Sequence, residues 1–376
     1  MASSPTTHDR RILTNSEGVD TPAPLVDESI LQQNIDDMAE IARGFGVKLR
    51  PHIKTHKSTV VAKRQIEAGA TGIMCAKIGE AQVFADAGIT DITVGYQIVG
   101  DLKIHRLLTL MEQADVTVCL DSLVAAEALT GALSSEGRAV KVLLEVNTGH
   151  DRAGVLYGQP AVDLAIGVAK LPGLQFTGVM THEGHGSAQP AETIREVSLE
   201  AGKRLVDTAE GIRNAGIQVD TVSVGSTPCA IHTPGVEGVT EMRPGTYVYR
   251  DTMGFRYGIY GPDRCAVRYL ATVSSRPARD RAILDSGAKT LAADGSAGFP
   301  GQGYVVGHPD VRLKALYEEH GVAILPETEE GMELGDRVEV IPNHVCTSVN
   351  LHDRLFVVRD GVVVDEWKVD ARGTVQ

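Results

Sequence analysis

KVLLEV, residues 141–146, is an almost unbroken apolar run that ends on a polar group, Asn147-Thr148-Gly149. A strand buried on one face alternates apolar with polar residues. A strand covered on both faces does not, and such runs belong to parallel sheets clothed by helices. Outward from this run the pattern repeats. KLRPH (48–52), GIMCA (72–76), DITVGY (91–96) and VTVCLD (116–121) lie before it, with PLVD (24–27) heading the series. FTGVMTH (176–182) and DTVSVGS (220–226) follow it. Helical patterns such as ESILQQNIDDMAEIARGF separate the runs, often at about 20–25 residues, the spacing of a βα unit. Eight or nine strands in this rhythm predict a (β/α)8 barrel over residues 20–250. No GxGxxG follows the first strand, which disfavours a dinucleotide-binding sheet.

After about residue 250 the character changes. AVRYLATVSSRP, RAILDSG, RVEVIP and RLFVVRDGVVVDEWKV are β-rich, and RDG in the last pair is a hairpin signal. These predict a mostly antiparallel β-domain over 251–376, with one helical pattern near 310–320. Residues 1–19 form a polar segment, expected to be loose until it docks.

Hydrophobic residues are 43% and aromatics only 4%, so the core must be built of Ala, Val, Leu and Ile. A net charge of −13 disfavours nucleic acid, whose phosphates need a cationic face. No apolar run reaches the ~18 residues of a membrane span, and the N-terminus carries no apolar leader. The five cysteines, Cys75, Cys119, Cys229, Cys265 and Cys346, are odd in number and widely spaced, which suggests a reducing cytoplasm.

In a βα barrel, functional groups sit at the C-terminal ends of the strands. There the sequence offers His52-Ile53-Lys54, Cys75-Ala76, Tyr96-Gln97, Asp121, Asn147-Thr148-Gly149, Thr181-His182-Glu183 and Gly225-Ser226-Thr227. Lys54 has His52, His56 and Lys57 around it, a positive setting that would favour the neutral amine needed for a Schiff base. A solvated basic loop explains the same residues. VGSTP (224–228) and RPGTY (243–247) have the glycines and hydroxyls of an anion-binding turn, or of an ordinary tight turn. In PNHVCTSVNLHD (342–353), His344 and Cys346 are two apart on an expected strand and so share a face. Imidazole and thiolate suit a divalent metal, and a half-buried histidine beside a structural cysteine fits equally.

Taken in order, these motifs resemble the pyridoxal-phosphate enzymes of fold type III, the alanine-racemase-like barrels, and within them the D-threonine aldolase / D-serine dehydratase group. RPHIKTHKS resembles the cofactor-lysine motif, which implies Lys54 as the Schiff-base residue. EVNTGHDRAGV (145–155) implies Arg152 at the cofactor's phenolic oxygen, and GVMTHEGH (178–185) implies His182 on its pyridine ring. The two turns imply phosphate contacts from Gly225, Ser226, Thr227, Gly245 and Thr246, with Tyr249 nearby. PNHVCTSVNLHD implies His344 and Cys346 as ligands of a zinc, manganese or magnesium ion. The resemblance further implies a homodimer acting on a small D-3-hydroxy amino acid. Lys54 and His182 are the implied catalytic groups, with Glu183, His185 and His320 as further candidates for proton work and Tyr96 and Gln97 for positioning. Retro-aldol cleavage to glycine and an aldehyde is the expected reaction, with β-elimination to a 2-oxo acid and ammonia as the alternative. Racemisation or a non-catalytic cofactor carrier comes after both. Low-specificity aldolases of the group have HxD where this chain has His344-Val-Cys346, which with KTHK is dehydratase-like; GTYVYRD through SSRPARDRAILDSGAK is aldolase-like.

Overall fold

The computed structural model describes residues 10–188, 191–256, 258–295, 299–329 and 331–376. It divides into two compact units. One holds residues 37–54, 61–245 and 373–376; the other holds 10–36, 55–60 and 246–372.

The first unit is the barrel. Its parallel strands run Lys48–Leu49, Ile73–Cys75, Asp91–Val94, Asp115–Leu120, Val140–Asn147, Leu174–Met180, Thr221–Val224 and Glu241–Met242, each beside the next, and the last pairs with the first. Between Lys48–Leu49 and Ile73–Cys75 the ring is closed by a His52–Met74 bridge and by amide bonds from Thr71 to Leu49 O (2.9 Å) and from Met74 to Pro51 O (2.8 Å). The run that opened the sequence reading has five consecutive buried residues, as two-sided cover requires. Helix Ile194–Asn214, packed on Leu174–Met180 and Thr221–Val224, shows how such outer cover is made: Ile194, Ser198, Ala201, Leu205, Thr208, Ala209 and Ile212 recur at helical spacing and are buried. Full burial of a leucine such as Leu205 contributes about 1.5–3 kcal/mol. Inside the ring, Met74, Cys119, Leu143 and Met180 form one apolar cluster.

PLVD does not belong to this ring. Strand Ala23–Asp27 pairs antiparallel with Val267–Ala278 and parallel with Arg354–Arg359, within the second unit. The eighth barrel strand is the two-residue Glu241–Met242, too short and too polar to register as an apolar run. A strand followed by a helix looks alike in either sheet, because periodicity reports burial and carries no record of the partner.

The second unit is mostly antiparallel, ordered Arg312–Leu316, Gly321–Ile324, Arg281–Leu284, Val267–Ala278, Ala23–Asp27, Arg354–Arg359 and Val362–Lys368. Gly303–Val305 pairs with Arg337–Pro342, which adds to Val267–Ala278. The RDG turn forms with Asp360 at φ 50° and Gly361 at φ 81°, the positive pair that a two-residue hairpin demands. The expected helix near 310–320 is instead the hairpin of Arg312–Leu316 and Gly321–Ile324. Leu313 is fully buried in that sheet, and packing overrides the helix preference of the Lys-Ala-Leu run. The N-terminal segment is docked from residue 10 onward: Ile12 and Leu13 are buried, and their amides donate to Glu339 at 3.0 and 2.8 Å. Glu339 is itself fully buried against Arg268, 3.1 Å away. None of the five cysteines is in a disulfide, and no described helix is long and apolar enough to cross a membrane.

Candidate active site

In the barrel, the site starts just past the first strand. Pro51 accepts from Met74 but has no amide to donate, and past His52 the chain turns into the short 3-10 segment Ile53–Thr55 that carries Lys54. His52 still bridges the next strand, and its amide donates to Pro244 O at 3.0 Å. Burial pushes the His52 imidazole well below its ordinary range, with the charges of Lys54, Arg243 and His182 acting in the same direction. His182, at the end of Leu174–Met180, is pushed down in the same way by burial, then by Lys54, Arg152 and Arg243. Both rings are therefore neutral near pH 7. The sequence reading had His52 adding charge around Lys54; the cations that share this field are instead the guanidiniums of Arg152 and Arg243.

A neutral His182 has one proton to place. Its Nδ1 lies 2.6 Å from the carbonyl oxygen of Gly225, which only accepts, so Nδ1 donates and Nε2 keeps its lone pair. The next residue grips the same glycine from its other end: Glu183 Oε2 accepts the Gly225 amide at 2.8 Å. Burial raises the Glu183 carboxyl. A Cβ on Gly225 would stand 3.0 Å from Arg243 Cβ and 3.1 Å from its carbonyl oxygen, so only glycine fits without a shift. Beside it the Ser226 hydroxyl is buried with no hydrogen-bond partner among the described residues. Thr227 begins the following turn, its carbonyl accepting from Ala230 at 3.2 Å. A clamped glycine and an unsatisfied hydroxyl at the C-terminal end of a parallel strand fit the phosphate of a cofactor. Gly245, also buried, closes the loop that follows Glu241–Met242.

Arg243 lacked any sequence signal except its place in RPGTY. It is buried inside the ring, donating from Nε to Ser223 Oγ at 2.7 Å and from Nη2 to the Thr181 carbonyl, with Nη1 3.3 Å from Met74 Sδ. Burial lowers its guanidinium, against the pull of Glu241, Glu183 and Glu145. Arg152 is exposed on the loop after Val140–Asn147, and its charge reaches Glu145, His150 and His182. His150 was also missed. Its ring stands edge-on to His182 (centroids 5.6 Å) and stacked on His185 (6.2 Å). Gly184 permits this, since a Cβ there would meet His150 Nε2 at 2.7 Å and His182 Nε2 at 3.0 Å. His185 is pushed down by burial and by Arg204, and its Nδ1 is buried without a hydrogen-bond partner among the described residues. Gln97 is tied by its amide to Asp121 at 3.1 Å and Glu145 at 2.5 Å, while Tyr96 is half exposed with the Lys77 ammonium 3.3 Å over its ring.

In the second unit, His344 and Cys346 do not lie on a strand. Strand Arg337–Pro342 ends at its proline, and His344 stands at the N-cap of the short helix Val345–Val349. The pair is still brought together: Cys346 is the leading cause that raises His344 to about 9, ahead of Asp251 and Asp294 and against burial. Cys346 Sγ lies 3.1 Å from Thr55 Oγ1 and 3.7 Å from Thr246 Oγ1. Thr55 is the residue after Lys54 in the chain, and Thr246 thus turns its hydroxyl toward sulfur. Among the described residues no group of three His, Cys, Asp or Glu could hold a metal. The two donors alone, an imidazole and a thiol, match a metal that keeps positions for water and substrate. Tyr249 is fully buried, its phenol raised by burial and by Tyr269, its hydroxyl without a hydrogen-bond partner among the described residues, and its ring edge-on to His56 at 6.3 Å. His320 is exposed at the tip of the hairpin where a helix was expected, its carbonyl accepting from Tyr317 at 2.9 Å.

The profile of the alanine racemase N-terminal domain matches residues 26–253, and that of a serine dehydratase domain matches 266–358. The chain belongs to the D-threonine aldolase / D-serine dehydratase family of fold type III pyridoxal-phosphate enzymes. It is 36% identical to the D-threonine aldolase of Arthrobacter sp., over 94% of this chain and 93% of that one. It is 32% identical to the D-threo-3-hydroxyaspartate dehydratase of Delftia sp., over 88% and 92%. A dehydratase of that name has also been solved as a cysteine-to-alanine variant in a metal-free form, with a TM-score of 0.85 at 30% identity over 96% and 98%. The crystal structure of the D-threonine aldolase from Filomicrobium marinum superposes with a TM-score of 0.87 at 32% identity, covering 95% of this chain and 96% of that one. The family's enzymes are lyases, and this chain is a lyase of the same kind.

Proposed function

We propose that this lyase requires pyridoxal phosphate and a divalent metal and cleaves D-3-hydroxy amino acids of the D-threonine type to glycine and an aldehyde. The observation that carries the reading is the Lys54 turn at the barrel mouth with two neutral imidazoles beside it, in a chain 36% identical to a D-threonine aldolase over nearly its whole length. When bound, pyridoxal phosphate supplies an electron sink that weakens the bonds to the substrate α-carbon. Lys54 is its attachment point. Gly225, Ser226, Thr227 and Gly245 would hold the phosphate, and Arg152 the phenolic oxygen. The neutral face of His182, fixed by its bond to Gly225, would lie on the ring without adding charge. A metal at His344 and Cys346 would supply Lewis acidity to the β-hydroxyl. Lys54 and the imidazoles of His182 and His185 would carry the proton work. The chain is proposed to act as a homodimer in the cytoplasm, with the barrel as cofactor domain and the β-rich part as metal domain.

A second reading has its own support. The thiol ligand at Cys346 and the 32% identity to a hydroxyaspartate dehydratase favour β-elimination to a 2-oxo acid and ammonia. One incubation separates the two. Holoenzyme with added Mn²⁺ or Zn²⁺ and D-threonine is expected to release glycine and acetaldehyde. Formation of 2-oxobutyrate and ammonia instead would replace the aldolase reading with the dehydratase.

A further inference from the structure

His344 occupies an N-cap position without capping. Its side chain accepts no helix amide, and the free Val345 amide is satisfied instead by Asp251 Oδ2 at 3.1 Å, from 94 residues away. The imidazole is thereby released, and it turns to a different carboxylate: Nδ1 lies 2.9 Å from Asp294 Oδ2. The same oxygen accepts the Thr347 hydroxyl at 2.5 Å. Asp294 is anchored through its backbone as well, its carbonyl accepting from Asn343 Nδ2 at 3.2 Å. That amide also bonds Gly301 O at 2.9 Å, and Asn343 Oδ1 accepts from Thr252 at 3.0 Å, so the residue preceding His344 is buried and fully engaged.

We propose that Asp294 is the positioning residue of the metal pair: by accepting a hydrogen bond from Nδ1–H of His344 it fixes the ring and its tautomer, so that Nε2 is the nitrogen offered beside Cys346. The inference rests on the reading of His344 and Cys346 as metal ligands. An imidazole ligand needs its second nitrogen held by an acceptor, and loss of such a partner weakens metal binding about 10–100-fold. Asp294 and His344 are each some two-fifths exposed, and as a bare surface ion pair they would contribute little. What separates the two roles is the double use of one carboxylate oxygen, which locks the His344 ring and the helix residue Thr347 to a single point.

The test is Co²⁺ titration of the full-length protein freed of metal, followed by the sulfur-to-cobalt charge-transfer band that reports ligation by Cys346. In Asp294→Ala the band is expected to keep its position while the dissociation constant rises about 10–100-fold. Asp294→Asn, which keeps an acceptor but no charge, is expected to fall between Ala and wild type, and it carries the test should the alanine variant fold poorly. Affinities within twofold of wild type in the Asp294 variants, with His344→Ala still abolishing the band, would overturn the positioning role and leave the metal pair standing. An undiminished band in His344→Ala would overturn the metal pair itself and the inference with it.

Discussion

His182 and His344 are the same residue type in opposite surroundings. At the barrel mouth, burial and three cations drive His182 below its ordinary range, and a backbone carbonyl fixes its tautomer. In the second unit, a thiol and two carboxylates raise His344 to about 9, and a carboxylate holds its ring. The first arrangement yields a flat, uncharged surface whose position depends on the backbone. The second yields a donor that already holds a positive charge, which a metal ion would replace. A single imidazole thus serves as a wall in one place and as a ligand in the other, and the neighbours decide which.

The strongest attack on this contrast is Lys54→Ala. It removes the attachment point and one of the charges holding His182 down. Activity is expected to fall by at least ~10³-fold, and the visible band of the reconstituted protein should vanish; a variant that stays yellow would place the cofactor elsewhere. Next comes Glu183→Gln, which keeps the shape and weakens the grip on the Gly225 amide. A hydrogen bond to a charged group is worth about 1.5–3 kcal/mol, so cofactor affinity, followed by fluorescence quenching, should drop on the order of tenfold. Unchanged affinity would mean that Gly225 is held by packing alone.

The smallest effect is on stability against pH. His52 and His182 have folded-state values below 6.5, so the unfolded chain binds protons that the folded one refuses. Stability contributed this way is present above pH ~6.5 and declines as the pH falls through that value. His182→Phe keeps a ring and removes one titrating group. Urea midpoints of the cofactor-free protein should then fall less steeply between about pH 6.5 and 5 than in wild type. An equal slope would show that His182 is not neutral in the fold.

The barrel was legible because its strands are buried on both faces, and burial of that kind writes itself into local composition. Lys54, His182 and Gly225 were legible for a related reason: each follows directly on such a run. Three other features left no local mark. PLVD looked like a barrel strand because strand partners are chosen across more than 240 residues, Leu25 beside Phe356 being an instance. Arg243 and Asp294 matter through what folds around them, a ring of carboxylates in one case and a histidine 50 positions away in the other. His344 and Cys346 were found for a partly wrong reason. The alternation of a strand was invoked, while a proline stop and a helical first turn bring them together.

The grip of Glu339 on the N-terminal segment has a practical corollary. That carboxylate is shielded from water and has three clients: the Arg268 guanidinium and the amides of Ile12 and Leu13. Trimming the chain past Leu13 would strip two donors from a charge that has nowhere to turn, at a cost of about 1–3 kcal/mol for each group left unpaired. Residues 12 and 13 therefore behave as a clasp fastened from the inside, and a deletion that reaches them is expected to lower the stability of the fold.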